Sequence, residues 1–209
     1  MPFTIALMLV GQAAAATPDI TPTRQLFKAG QYQQVVMVDV GDSSEPALVY
    51  LVARSHDRLE QGPAARAAYA RLASRPETDP WHHVGQSALL LLDARPGPAG
   101  TPPPATVARA ITAAEQAIAL GGSLAEGQYQ LGLARAERRD YAGAATAFEA
   151  AIAIDPQPAY AHYYAGLSYY QAQRIDLMAK YFESFLKLAP NAPERTQVES
   201  IMRTVRGRR

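Results

Sequence analysis

The chain has 209 residues, 48% of them hydrophobic and 19% charged, which is enough apolar content to bury a core and too much for a chain disordered throughout. Twenty basic residues against 19 acidic ones leave a formal charge of +1, so no strongly basic surface for wrapping nucleic acid or coating an anionic membrane is implied. Cysteine is absent, which excludes thiol catalysis, disulfides, Cys-ligated metal sites and lipoprotein anchoring. Alanine is the commonest residue, with 41 copies. It is the best helix former and a poor strand former, so the composition points to an all-α protein and away from a β-sandwich or barrel.

The first segment runs from Phe3 to Val10, then Gly11-Gln12, then Ala13-Ala14-Ala15-Ala16. It is too short to span a bilayer, for which about 20 apolar residues are needed. It reads as residues 1–16 of a signal peptide, with small residues at a cleavage site after Ala15 or Ala16. No Lys or Arg precedes Arg24, so the terminal amine alone would serve as the basic n-region. The alternative is an apolar first helix of the fold. Residues 17–22, with Pro18 and Pro22, read as a linker into a helical domain over 23–206. A signal peptide would make the protein periplasmic or secreted; without one it would be cytoplasmic.

Helix hairpins follow in order. Residues 23–44, broken at Gly30-Gln31-Tyr32, form a degenerate leading pair. Residues 46–77 form the next, with Ala53 and Ala65 as small contact positions and Gln61-Gly62-Pro63 as the break. Residues 78–122 open on Asp79-Pro80 as N-cap and first-turn proline and carry Trp81-His82-His83-Val84-Gly85. A Pro-rich insertion at 95–104 separates that helix from Val107–Leu120; a solvated linker is favoured there over a polyproline II ligand. Residues 125–156 and 159–190 form two more hairpins, and 193–206 a terminal helix. Ser123 with Glu126, and Asn191 with Glu194, read as capping-box starts, and Pro156 as a stop.

The last two hairpins are copies at a spacing of 34: Tyr129 recurs as Tyr163, Gly132 as Gly166, Phe148 as Phe182 and Pro156 as Pro190. Such a period signals a repeat architecture. Tyr129-Gln130-Leu131-Gly132, with Asp140-Tyr141, Ala144, Phe148, Ala151 and Asp155-Pro156, resembles the tetratricopeptide repeat. The resemblance implies a right-handed solenoid of antiparallel helix hairpins. The 159–190 unit departs from the pattern at Ala165, Ile175, Met178 and Phe185; the larger side chains predict a splayed or atypical last repeat.

In that family the inner helix of each hairpin lines a concave groove that takes an extended peptide or a partner's helix. Projecting the repeats on one another puts Tyr50, His82, Tyr129 and Tyr163 at one groove-facing site, with Arg54, Gln86, Leu133 and Leu167 one turn later. Tyr160 and Tyr170 extend this ladder, an array suited to rigid amphipathic contacts. The alternative is packing between hairpins; Tyr169 and Tyr181 read as core. If the ladder is a groove, Tyr129→Ala with Tyr163→Ala abolishes partner capture and leaves thermal stability nearly unchanged. The Lys, Asn and Arg clamp with which chaperone-binding members hold a carboxylate is missing, since Tyr129, Leu133, Tyr163 and Leu167 occupy the corresponding positions.

No catalytic or metal site is expected, and no cofactor. The chain has no nucleophile elbow, phosphate loop, dinucleotide fingerprint or H-E-x-x-H. His82 and His83 are adjacent, so on a helix they point about 100° apart and cannot chelate one metal as an i, i+4 pair would. The arginines from Arg203 to Arg209 read as a helix end complementing the macrodipole, with acidic-polymer contact the alternative. The sequence therefore describes a non-catalytic adaptor for another protein or peptide in the cell envelope, with no nucleic acid expected. Its rivals are a chassis subunit of an envelope assembly and, further off, a nucleic-acid-associated protein using the arginine tail.

Overall fold

Backbone hydrogen bonding repeats with the hairpins. In the computed structural model, which describes residues 19–41, 45–95 and 104–207, Gln31, Gln61, Asp140 and Arg174 each donate N–H to the carbonyl five residues back, at 2.8–2.9 Å. The preceding residue is left-handed in every case: Gly30 (φ 72°), Glu60 (57°), Arg139 (63°) and Gln173 (59°). This is the Schellman stop, and it reverses the chain into the next helix.

The helices are α1 Thr21–Lys28, α2 Tyr32–Val35, α3 Pro46–Arg58, α4 Gly62–Ala73, α5 Pro80–Asp93, α6 Pro104–Gly121, α7 Ala125–Glu137, α8 Tyr141–Ile154, α9 Ala159–Gln171, α10 Ile175–Leu188 and α11 Arg195–Arg206. There is no strand among the described residues. Each helix packs on the next, α5 also touches α7, and α7 touches α9. The odd-numbered helices α3 to α9 therefore form an inner layer, and α4 to α10 an outer one, giving the all-α solenoid of antiparallel hairpins. Among the described residues no helix is long and apolar enough to cross a membrane. Residues 1–18, which include the signal-peptide reading, and 96–103 of the Pro-rich insertion lie outside the described residues, as do Arg208 and Arg209.

Asp79 does cap α5, its carboxylate accepting from Trp81 N–H at 2.9 Å. The other two cap readings need correction. The N-cap of α7 is Leu124, with no side-chain bond; Leu124 is drawn against the core cluster under α4 and α5, so Ser123 is left outside the helix. The N-cap of α11 is Glu194 rather than Asn191, and its carboxylate is taken by Arg58 and Tyr160.

The last repeat is not splayed. Met178 and Phe185 are buried at 1% and 0% exposure, in a core closed by Val198 and Met202 of α11. A Cβ at Gly166 would come 2.4 Å from Phe182, as one at Gly132 would come 2.7 Å from Phe148. The helices of both hairpins thus meet equally closely, and α11 absorbs the extra volume instead.

Candidate functional site

Helix α3 is buried without interruption from Ala47 to Ser55. Leu26 and Phe27 of α1 cover it at Leu51 and Val52, and its far end crosses the inner layer. Arg54 and Arg58 sit one turn apart on that end. Arg54, 5% exposed, lies over the Tyr129 ring at 4.7 Å, donates to its hydroxyl at 2.6 Å and has Asp57 at 3.9 Å. Arg58 lies 4.1 Å over the Tyr160 ring, donates to its hydroxyl at 2.8 Å, and donates to Glu194. Tyr160 in turn donates to the second Glu194 oxygen at 2.7 Å. Two arginines of one helix thus tie the second hairpin to the fourth and fifth and to the start of α11.

Burial opposes ionisation of these groups, and their neighbours modify it. It pushes the Tyr50, Tyr129 and Tyr160 hydroxyls up, and that of Tyr163 up to about 12, so all stay neutral donors or acceptors. Burial works against charge on Glu194 too, yet the hydrogen bonds from Arg58 and Tyr160 outweigh it and hold the carboxyl below its usual range. Glu126 lines a small cavity under α1, and burial raises it.

Every rung of the ladder is on the inner layer, but most are sealed. Tyr50, His82, Tyr129, Tyr160 and Tyr163 are 6–8% exposed. Tyr50 accepts from Gln130 Nε2 at 3.0 Å, and Tyr163 donates to Gln197 at 3.3 Å. The physical reason is curvature: the stack turns tightly enough for α3 to reach α7 and α9, so the rings and Arg54 pack against the chain's own helices. The expectation that Tyr129→Ala with Tyr163→Ala spares stability is therefore revised, since both truncations would open cavities. Gln86, hydrogen-bonded to His82 at 2.8 Å, and Leu133 and Leu167 are half-buried, and Tyr170 is exposed. Tyr169 and Tyr181 stack on each other at 5.6 Å in the outer packing.

His82 and His83 meet edge to face with ring centroids 4.8 Å apart, and His83 bonds the Glu77 carbonyl at 2.9 Å. Among the described residues no three His, Asp or Glu side chains gather as metal ligands would.

The open part of the inner layer is one turn further along the helices. A cavity of about 230 Å³ spans α3, α5, α7 and α9. Leu91, Leu92, Leu133 and Tyr164 line it, together with the polar side chains of Arg54, Asp57, Arg95, Gln130 and Glu137. Gln130 is 1% exposed, and its Oε1 has no hydrogen-bond partner. The arrangement can grip a side chain, and it holds no nucleophile–base pair. Arg58, Asp57, Gln130 and Glu194 were missed by sequence reasoning; the one available signal was a pair of arginines four apart at the end of a helix that is apolar from Ala47 to Ala53.

Residues 107–157 and 129–193 match the family model of the tetratricopeptide repeat. Among solved structures, a thermophilic TPR protein of Thermus thermophilus aligns at TM-score 0.63 and 17% identity, over 86% of this chain and 94% of its own. MamA of Desulfovibrio magneticus aligns at TM-score 0.46 and 17% identity, over 87% and 99%. YrrB, described as a TPR protein with an unusual peptide-binding site, aligns at 0.48 and 16%, over 87% of each. No curated protein matches the sequence.

Proposed function

Because the chain is a tetratricopeptide-repeat protein, with the family's repeats matched over residues 107–193, we propose that it is a non-catalytic adaptor. It binds a segment of a partner protein on the open strip of the inner layer, beside the sealed tyrosine ladder. One observation carries this reading: four successive inner helices converge on a cavity with leucine walls and an unpartnered buried amide oxygen. Pre-formed concave sites with apolar walls and a few fixed polar groups are what ligand recognition uses. Affinity comes from burying Leu91, Leu92, Leu133 and Tyr164 together with the neighbouring half-buried Leu167, with no covalent step.

We place this activity in the cell envelope on the strength of the Phe3–Ala16 segment alone. N-terminal sequencing of the exported protein tests that; an intact Met1 overturns it.

For the adaptor itself, a photo-crosslinking amino acid is put at Leu133 and, separately, at exposed Thr146 on the outer helix α8. Illumination of living cells is expected to give one mass-identified protein adduct from position 133 and none from 146. Equal labelling from both positions, or none from 133, refutes the assignment.

A further inference from the structure

We infer that the inner-layer cavity is a socket for a basic side chain, arginine or lysine, of the partner segment, and that the chain's own Arg95 holds the place until the partner arrives. This rests on the adaptor reading and specifies the chemistry of its site.

The polar groups of the cavity set the requirement. Gln130 Nε2 is spent on the Tyr50 hydroxyl, and the group left over is Oε1, an acceptor without a donor. A second lining group is Asp57, 11% exposed and also an acceptor. Glu137 stands exposed among the lining residues. The cations present are committed: Arg54 to the Tyr129 hydroxyl and Asp57, and Arg95 to Asp57. An occupant that completes the site must therefore donate hydrogen bonds. An anion would leave Gln130 Oε1 unsatisfied and meet Asp57 and Glu137.

Arg95 shows what the site prefers. Its guanidinium reaches Asp57 Oδ1 at 2.5 Å while its side chain stays 54% exposed. A half-exposed arginine on a nearly buried carboxylate is a weak hold, because its own solvation competes with the pair. A basic side chain entering from a partner takes the same carboxylate. Its aliphatic stem lies along Leu91, Leu92 and Leu133, and its spare N–H groups point to Gln130 Oε1. Long basic side chains have the amphipathic build this needs, an apolar stem with a charged head. Desolvating the head is compensated only where acceptors wait for it, which is the arrangement of Gln130 Oε1 and Asp57.

The experiment uses the full chain and four synthetic hexapeptides, acetylated and amidated, alike except for one central residue: arginine, lysine, norleucine or glutamate. Each is flanked by leucine and alanine. Binding is followed by amide chemical shifts. The basic peptides are expected to bind at least tenfold tighter than the norleucine and glutamate ones, with affinity falling as salt rises. Arg95→Ala, at an exposed position, is expected to tighten the basic peptides several-fold by vacating Asp57. Gln130→Leu is expected to weaken them, and Asp57→Asn to abolish the preference. If either of these last two fails to fold, Arg95→Ala decides alone. Equal binding of all four peptides, preference for glutamate, or weaker basic-peptide binding in Arg95→Ala overturns the inference. If the Leu133 crosslink survives while charge selectivity fails, the adaptor stands and the socket falls. If peptides select charge but no crosslink forms, the adaptor reading falls and with it the assignment of the socket to a partner segment.

Discussion

Three glycines of the inner layer are where the helices approach most closely, and Gly85→Ala separates packing from propensity most sharply. In a helix interior, replacing Gly by Ala ordinarily stabilises by about 1 kcal/mol. At Gly85 the new Cβ would lie 2.5 Å from the Ala73 nitrogen, 2.7 Å from Leu72 Cβ and 2.8 Å from the Tyr69 carbonyl oxygen. Two of those atoms are backbone, so relief requires α4 and α5 to move apart, and overpacking of this kind costs about 1–3 kcal/mol or more. A cost at the upper end of that range, less the propensity gain of about 1 kcal/mol, leaves a net destabilisation of about 2 kcal/mol. At Gly132 the obstacle is the Phe148 ring at 2.7–2.8 Å, a side chain that can tilt, so about 1 kcal/mol is expected. Gly62 has nothing within 4 Å beyond its chain neighbours, but Pro63 follows it and disfavours the helical conformation for a residue with a Cβ, so Gly62→Ala should be nearly neutral. Urea unfolding followed by circular dichroism gives the ranking; in thermal melts each kcal/mol corresponds to roughly 2–4 °C for a chain of this size. Gly132→Ala with Phe148→Leu should recover part of both single losses, a coupling of about 1 kcal/mol. If Gly85→Ala stabilised the protein, the close approach of α4 and α5 would be wrong.

The Arg58–Glu194 contact should show a coupling of about 1 kcal/mol in a double-mutant cycle of Arg58→Met with Glu194→Gln, read by urea midpoint; additivity would deny that α3 holds α11. Because Glu194 is depressed in the folded state, its contribution is fully present above its unfolded pKa and is lost as pH falls through the folded value; Glu194→Gln should flatten the acid limb of stability, and an unchanged limb refutes the assignment. Burial also lowers His162, whose Nε2 bonds the Pro156 carbonyl at 3.0 Å, so stability should fall as pH drops below its unfolded value and His162→Gln should remove that step, as parallel urea curves at pH 7.5 and pH 5 would show. Tyr129→Phe leaves the buried Arg54 guanidinium without its hydroxyl acceptor and should cost about 1–3 kcal/mol in urea unfolding, against about 3–5 for Tyr129→Ala; equal losses would place the value of Tyr129 in its ring alone.

The sequence made legible whatever repeats. Gly132, Gly166, Phe148 and Phe182 recur because each hairpin must solve the same local problem, bringing two helices to contact distance, and a contact within one unit has a fixed spacing in the chain. The turns recur for the same reason: Glu60, Arg139 and Gln173 share a left-handed conformation although none is glycine. The candidate site was legible in half. Projection by 34 residues put the candidates on one layer of helices, and in the structure they share the inner layer, with Leu133 and Leu167 on its open strip. It could not reveal that Tyr129 is sealed by a residue 75 positions away, or Tyr160 by one 102 away. Those separations are fixed by curvature, the sum of small rotations over successive hairpins, and no single repeat encodes the sum.

The distinction also explains where binding chemistry collects. A side chain satisfied within its own hairpin has no capacity left for a partner. Gln130 is different: it lines the cavity, its amide nitrogen is satisfied across the stack by Tyr50, and its oxygen is buried without a partner. Position 130 is Tyr164 one period later, a half-buried aromatic with no comparable orphan atom, so the repeat does not require a polar group there. An amide held at 1% exposure with an unmet acceptor carries a cost that packing does not repay. Its retention in this register is intelligible if a donor from outside the chain completes it.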